Sequence, residues 1–252
     1  MRDIVHFGMK SHVVGGNGVM NIAPLAEALR ATGSPIDRTV LLAKALGLVA
    51  HDRPEMRQCY MPLPVGHLYQ HPNSVATIAV ERDWQGEPAV FLDQIEAPED
   101  RSLAEIDALY RAMQQAPLES IAGFRRLIRF TRMPLAIRRG FWRLGLYGSG
   151  NLHSRYFGTF SVAATPEPRT EYMQATTPLT MSVIYGFLEP NGDMPVQILV
   201  DHRVIDGMHL VRIARELETA LNERIAGELL QGMPAPPASV EARSGTAVAE
   251  EA

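Results

Sequence analysis

The sequence predicts an α/β (α+β) fold of strands and helices. Three observations carry that expectation. Residues 75–80, 89–92, 180–188 and 194–200 concentrate apolar and β-branched residues over strand lengths, bounded by Gly, Pro, Asn or Asp. Other segments repeat apolar residues at helical spacing. The chain has 252 residues, 46% apolar and 21% charged. Such a chain buries roughly 70–75% of its unfolded surface, so it needs no metal or disulfide staple.

The totals also exclude functions. A net charge of −4 gives no global pull toward nucleic acid. The single cysteine, Cys59, excludes an intrachain disulfide and agrees with a reducing compartment. Cys59 reads as a small buried hydrophobe, with a nucleophile as the alternative. No apolar core follows Arg2-Asp3, and no uninterrupted run of about 20 apolar residues is present. The expected location is cytoplasmic.

In chain order, residues 13–19 (Val-Val-Gly-Gly-Asn-Gly-Val) read as two short strands around a glycine-rich turn, because the spacing matches no phosphate-binding fingerprint. A helix over 21–30 has Pro24 in its first turn and Gly33 just past its end. A second, over 36–50, carries Val40, Leu41, Ala43, Leu46 and Leu48, too many for one stripe, so it is largely buried. His67 and His71 are four apart but precede Pro72, which disfavours helix. They read as surface or loop histidines, with no metal expected. Residues 75–80 and 89–92 form a hairpin through Asp83-Trp84-Gln85-Gly86. Ser102 and Glu105 form a capping box for a helix with Leu103, Ile106, Leu109 and Met113 on one face.

Residues 120–166 contain no acidic residue. Arg125, Arg126, Arg129, Arg132, Arg138, Arg139, Arg143 and Arg155 interleave there with aromatic and aliphatic residues. Three readings remain open: a solvated helical pair, a peripheral contact of 120–150 with anionic membrane, and contact with the phosphates of a ligand. The tail from Gly232 is rich in Pro, Ala, Gly, Ser and Glu and reads as disordered over 233–252.

The chain is organised around Asp201-His202-Arg203-Val204-Ile205-Asp206-Gly207. It follows the apolar run 194–200 and precedes Leu210, Ile213, Leu217 and Leu221 at helical spacing. His202 is therefore presented at a strand end before a tight turn, on a rigid scaffold. An imidazole titrates near neutral pH and a flanking carboxylate can orient it. Gly207 reads as a turn position closed to other residues.

These seven residues resemble the signature of the 2-oxoacid dehydrogenase acyltransferases (the E2 components), whose reduced form His-x-x-x-Asp-Gly is shared with chloramphenicol acetyltransferase. Residues 39–46 with Arg53-Pro54-Glu55-Met56, and Gly158-Thr159-Phe160-Ser161-Val162-Ala163, resemble two further landmarks of that family. The resemblance implies a chloramphenicol acetyltransferase-like fold of two layers, a mixed sheet with packed helices, over 1–232, with 120–150 as a basic aromatic helical insertion. It implies a homotrimer with His202 at the subunit interface. It implies direct acyl transfer from coenzyme A to a thiol, hydroxyl or amine, with His202 as general base. Asp206 would fix the loop by a salt bridge, and Asp201, Arg203 and Gly207 would support it. The family serine that supplies a hydroxyl to the tetrahedral intermediate aligns with Ala163, which leaves Ser161 and Thr165 as oxyanion candidates. No lipoyl domain is recognisable, so no covalent lipoyl group is expected. The alternative is an inactive assembly or membrane-adaptor protein that keeps the fold.

Overall fold

The structure is a computed structural model and describes residues 12–165 and 177–231. The tail assigned to disorder lies outside the described residues. Eight strands are present among the described residues: β1 (Val13–Asn21), β2 (Gln58–Met61), β3 (His67–Gln70), β4 (Val75–Trp84), β5 (Glu87–Glu96), β6 (Phe160–Ala164), β7 (Met181–Tyr185) and β8 (Asp193–Asp201). Six form a mixed sheet in the order β1-β8-β7-β6-β4-β5, and β2 and β3 pair separately. The β4–β6 and β6–β7 pairs are parallel; the other neighbours are antiparallel.

The glycine-rich start is one continuous strand, where the sequence suggested a hairpin. β1 pairs along its whole length with β8, from Val13↔Asp201 to Asn21↔Asp193. A side chain at Gly15 would place its Cβ 2.8 Å from Leu199 Cδ2, so the glycine answers close packing rather than a turn. The 83–86 turn is as expected: Gln85 and Gly86 both have positive φ (58° and 85°) between β4 and β5, the geometry of a two-residue hairpin that follows the strand twist.

Helix α1 is Ala23–Thr32 and α2 is Arg38–Asp52. Asp37 caps α2 by accepting from the Thr39 amide at 2.8 Å, worth about 1 kcal/mol. Residues 39–47 of α2 are all buried, as its apolar density predicts. The capping box holds at the start of α3 (Leu103–Gln115), but the buried face is Leu103, Ile106, Tyr110 and Met113. Leu109, expected inside, is 40% exposed, because Tyr110 takes its place at the i+4 position from Ile106.

The arginine-rich segment forms α4 (Ala122–Thr131) and α5 (Leu135–Tyr147), followed by α6 (Gly150–Phe157). Tyr156 and Phe157 end α6, just before β6. Phe124 is fully buried against Phe91, ring centroids 4.7 Å apart, so α4 is anchored in the core. Helix α7 (Gly207–Thr219) follows β8 and runs through a wider turn at Ala220–Ile225 into α8 (Ala226–Gln231).

Strand alternation sorts the sheet into two faces. Phe160, Val162, Met181, Val183, Ile198 and Val200 belong to the hydrophobic core with α2. The opposite face carries the cross-strand row Gly15, Leu199, Ser182, Ser161 and Thr77. No described helix is long and apolar enough to cross a membrane.

Candidate active site

β8 ends at Asp201, whose side chain is 9% exposed. Its backbone carbonyl accepts from the amides of Val204 (2.9 Å) and Ile205 (3.0 Å), which closes the turn. Its carboxylate accepts from the Arg203 amide at 3.0 Å and from Arg203 Nε at 2.9 and 3.1 Å, with a further bond from the guanidinium to Oδ2. That carboxylate holds the Arg203 guanidinium above its ordinary pKa. Arg203 also lies over the Tyr60 ring, 4.6 Å from its centroid. The Asp201–Arg203 pair thus ties the turn to β8 and β2.

His202 is exposed on this turn. Its backbone amide donates to the His12 carbonyl at 2.9 Å. Its ring Nδ1 lies 3.1 Å from the Ile205 carbonyl oxygen. A carbonyl oxygen only accepts, so this bond places the hydrogen on Nδ1 and leaves Nε2 of the neutral ring with its lone pair free. The sequence pointed to a flanking carboxylate as the group that orients the imidazole; the orienting partner is instead this backbone carbonyl.

Asp206 is the N-cap of α7. Its side chain accepts from the His209 amide at 2.8 Å and lies 3.2 Å from His209 Nδ1. The amide bond, with the nearby His209 charge, lowers its pKa below the usual carboxylate value. It caps α7 at the far end of the turn. Gly207 corrects a second expectation. It is the first residue of α7, and a Cβ there would meet nothing within 4 Å. Its φ is not in the left-handed region, so this turn imposes no glycine requirement.

The β6 hydroxyls lie apart from His202 within one chain. Thr165 follows β6 and donates its amide to the Tyr185 carbonyl at 2.9 Å. Tyr185 pairs with Val196, six residues before His202, or about 20 Å along an extended strand. Ala163 lies one step nearer, in the row of Ile184 and Gln197. Ser161 is nearest, in the row of Leu199, two strands across and about 10 Å short of the turn. Its hydroxyl donates to Ser182 Oγ at 2.7 Å, which donates to Thr177 Oγ1 at 2.8 Å.

His67 is exposed in β3, as expected. His71 is not a surface residue: it is 1% exposed, its Nε2 is 3.3 Å from Cys59 Sγ, and its ring stacks on that of His153 at 5.5 Å. Pro72 does end regular structure there, but α6 then covers the ring. Cys59 is buried as expected, and burial pushes its thiol up to about 12. Burial also lowers His71 and His153 to about 4, so both rings are neutral. Sequence reasoning passed over His153, which carries no local signal.

No protein-family model and no curated protein sequence matches the chain. Solved structures do match. Dihydrolipoamide acetyltransferase of Azotobacter vinelandii superposes with a TM-score of 0.59 at 16% identity, covering 91% of this chain and 88% of that one. The fold is that of an acyltransferase catalytic domain. A probable dihydrolipoamide acetyltransferase of Listeria monocytogenes gives 0.57 at 11% identity, over 87% and 88%. Chloramphenicol acetyltransferase gives 0.52 at 14% identity, over 87% and 94%. The acyltransferase fold expected from the sequence landmarks is therefore present, with His202 at the end of β8.

Proposed function

We propose that the protein is an acyltransferase that moves an acyl group from coenzyme A to a thiol, hydroxyl or amine acceptor, with His202 as general base. The observation that carries this reading is the imidazole itself: exposed, held through Nδ1 by the Ile205 carbonyl, with Nε2 free. Nε2 takes the acceptor's proton as the acceptor attacks the thioester carbonyl. The collapse of the tetrahedral intermediate expels the coenzyme A thiolate, which recovers the proton from the imidazolium. A positioned base contributes about 10²–10⁴ in rate. The strand register separates His202 from Ser161, Ala163 and Thr165 within a chain, which supports a homotrimer whose site draws on two copies. Incubation with a panel of acyl-coenzyme A thioesters and a cell extract, read by mass spectrometry, tests it. Acylated acceptor together with free coenzyme A is the expected result; unchanged thioesters with every donor would overturn the reading.

One observation favours a second role alongside the first. Ile137, Phe141 and Leu144 are 53%, 49% and 50% exposed at i, i+4 and i+7 on α5, flanked by arginines. That face suits a peripheral contact with anionic lipid. Flotation with anionic liposomes at low salt tests it: the chain should float with the vesicles, and Phe141→Ser should weaken binding.

A further inference from the structure

Cys59, His71 and His153 come from three separate elements: β2, the residue after β3, and the middle of α6. All three are buried, at 4%, 1% and 2% exposure. Each offers one ligand atom, and the three atoms lie within 4.8 Å of one another. An independent observation points to a missing partner. Among the described residues, Nδ1 of the buried His153 ring has no hydrogen bond; Nδ1 of His71 has none either, but it is Nε2 of that ring that faces Cys59. A buried polar atom left without a partner is destabilising, and a ligand held at His153 would relieve it.

One thiolate and two imidazoles form a donor set suited to zinc. Tetrahedral bonds of about 2.3 Å to sulfur and about 2.0–2.1 Å to nitrogen set donor separations of about 3.3–3.6 Å. The 3.3 Å between Cys59 Sγ and His71 Nε2 comes within a few tenths of an ångström of the roughly 3.5–3.6 Å that such a sulfur–nitrogen pair would take. We propose that Cys59, His71 and His153 bind one zinc ion that pins the β2–β3 pair and α6 together beneath the His202 turn. Neutral imidazoles are the form that ligates. Cys59 binds as the thiolate and releases its proton to solvent, and water completes the coordination. Asp201, close enough to act electrostatically on both Cys59 and His153, offsets the charge of the ion. The site stiffens the Tyr60 wall on which Arg203 lies. It departs from the sequence expectation of no metal, which considered only the His67–His71 pair.

The test uses the full chain, stripped with chelator and then titrated. Elemental analysis after washing should find one zinc per chain. Cobalt(II) should give a thiolate-to-cobalt charge-transfer band, and zinc should raise the melting temperature. Cys59→Ala, which exchanges one small buried side chain for another, should lose the charge-transfer band and the zinc-dependent rise; His153→Gln should lose the rise. The proposal is overturned if folded wild type retains no zinc, or if Cys59→Ala binds metal with unchanged stoichiometry and melting shift. If His153→Gln fails to fold, the Cys59→Ala comparison decides alone. None of these readouts depends on acyl transfer.

Discussion

Asp201→Asn tests whether the carboxylate holds the turn that presents His202. Asparagine keeps one acceptor oxygen and places an amide NH₂ against the guanidinium, where Oδ2 or Oδ1 now accepts. At least one charge-assisted bond from Arg203 is lost, and the remaining ones lose their ionic acceptor. A hydrogen bond to a charged group contributes about 1.5–3 kcal/mol. Arg203 is 27% exposed, so water recovers part of its hydration. The net cost is about 2–4 kcal/mol, or a fall of about 5–15 °C in melting temperature for a chain of this size. Turnover should fall as well, since misplacement by about 1 Å can cost about 10²-fold. A double-mutant cycle with Arg203→Gln should give a coupling above about 1 kcal/mol. A variant that melts and turns over like wild type, with no coupling, would refute the account of the turn.

Three further outcomes are expected. Phe124→Ala should cost about 3–5 kcal/mol in thermal or denaturant unfolding, because Phe124 is fully buried on Phe91; a peripheral α4 would give a far smaller loss. In metal-free protein, His71 and His153 titrate at about 4 against about 6.5 unfolded. The unfolded chain binds more protons between these values, so stability is full above about pH 6.5 and falls toward pH 4 by on the order of 3 kcal/mol per ring. A pH-independent unfolding free energy across that window would contradict their burial. Ala163→Ser should raise acyl transfer if the restored hydroxyl donates to the oxyanion, a contribution worth up to about 10²–10³; unchanged rates would remove that position from the site.

Much of the frame was legible because it is local. The signature strand, its turn and the helix after it follow one another without interruption, so a strand-length apolar run giving way to helical spacing located His202 at the junction. The capping box at Ser102 and the Gln85-Gly86 turn are likewise set by adjacent residues. The errors arose where distant packing decides. Gly15 looked like a turn residue because Leu199, which crowds it, lies far along the chain. His71 looked exposed because α6, which covers it, follows β5, α3, α4 and α5. The orientation of His202 was credited to aspartates, when a backbone carbonyl with no sequence signature supplies it. The separation of His202 from the β6 hydroxyls depends on sheet register, which adjacent residues do not specify.

The most direct measurement of the central claim is the rate of acyl transfer from coenzyme A by His202→Ala beside wild type. The side chain is exposed, so its removal opens no core cavity and the fold should persist by circular dichroism and melting temperature. The account predicts a rate lowered by about 10²–10⁴ in a folded protein. A folded His202→Ala variant that transfers acyl groups at the wild-type rate would contradict it.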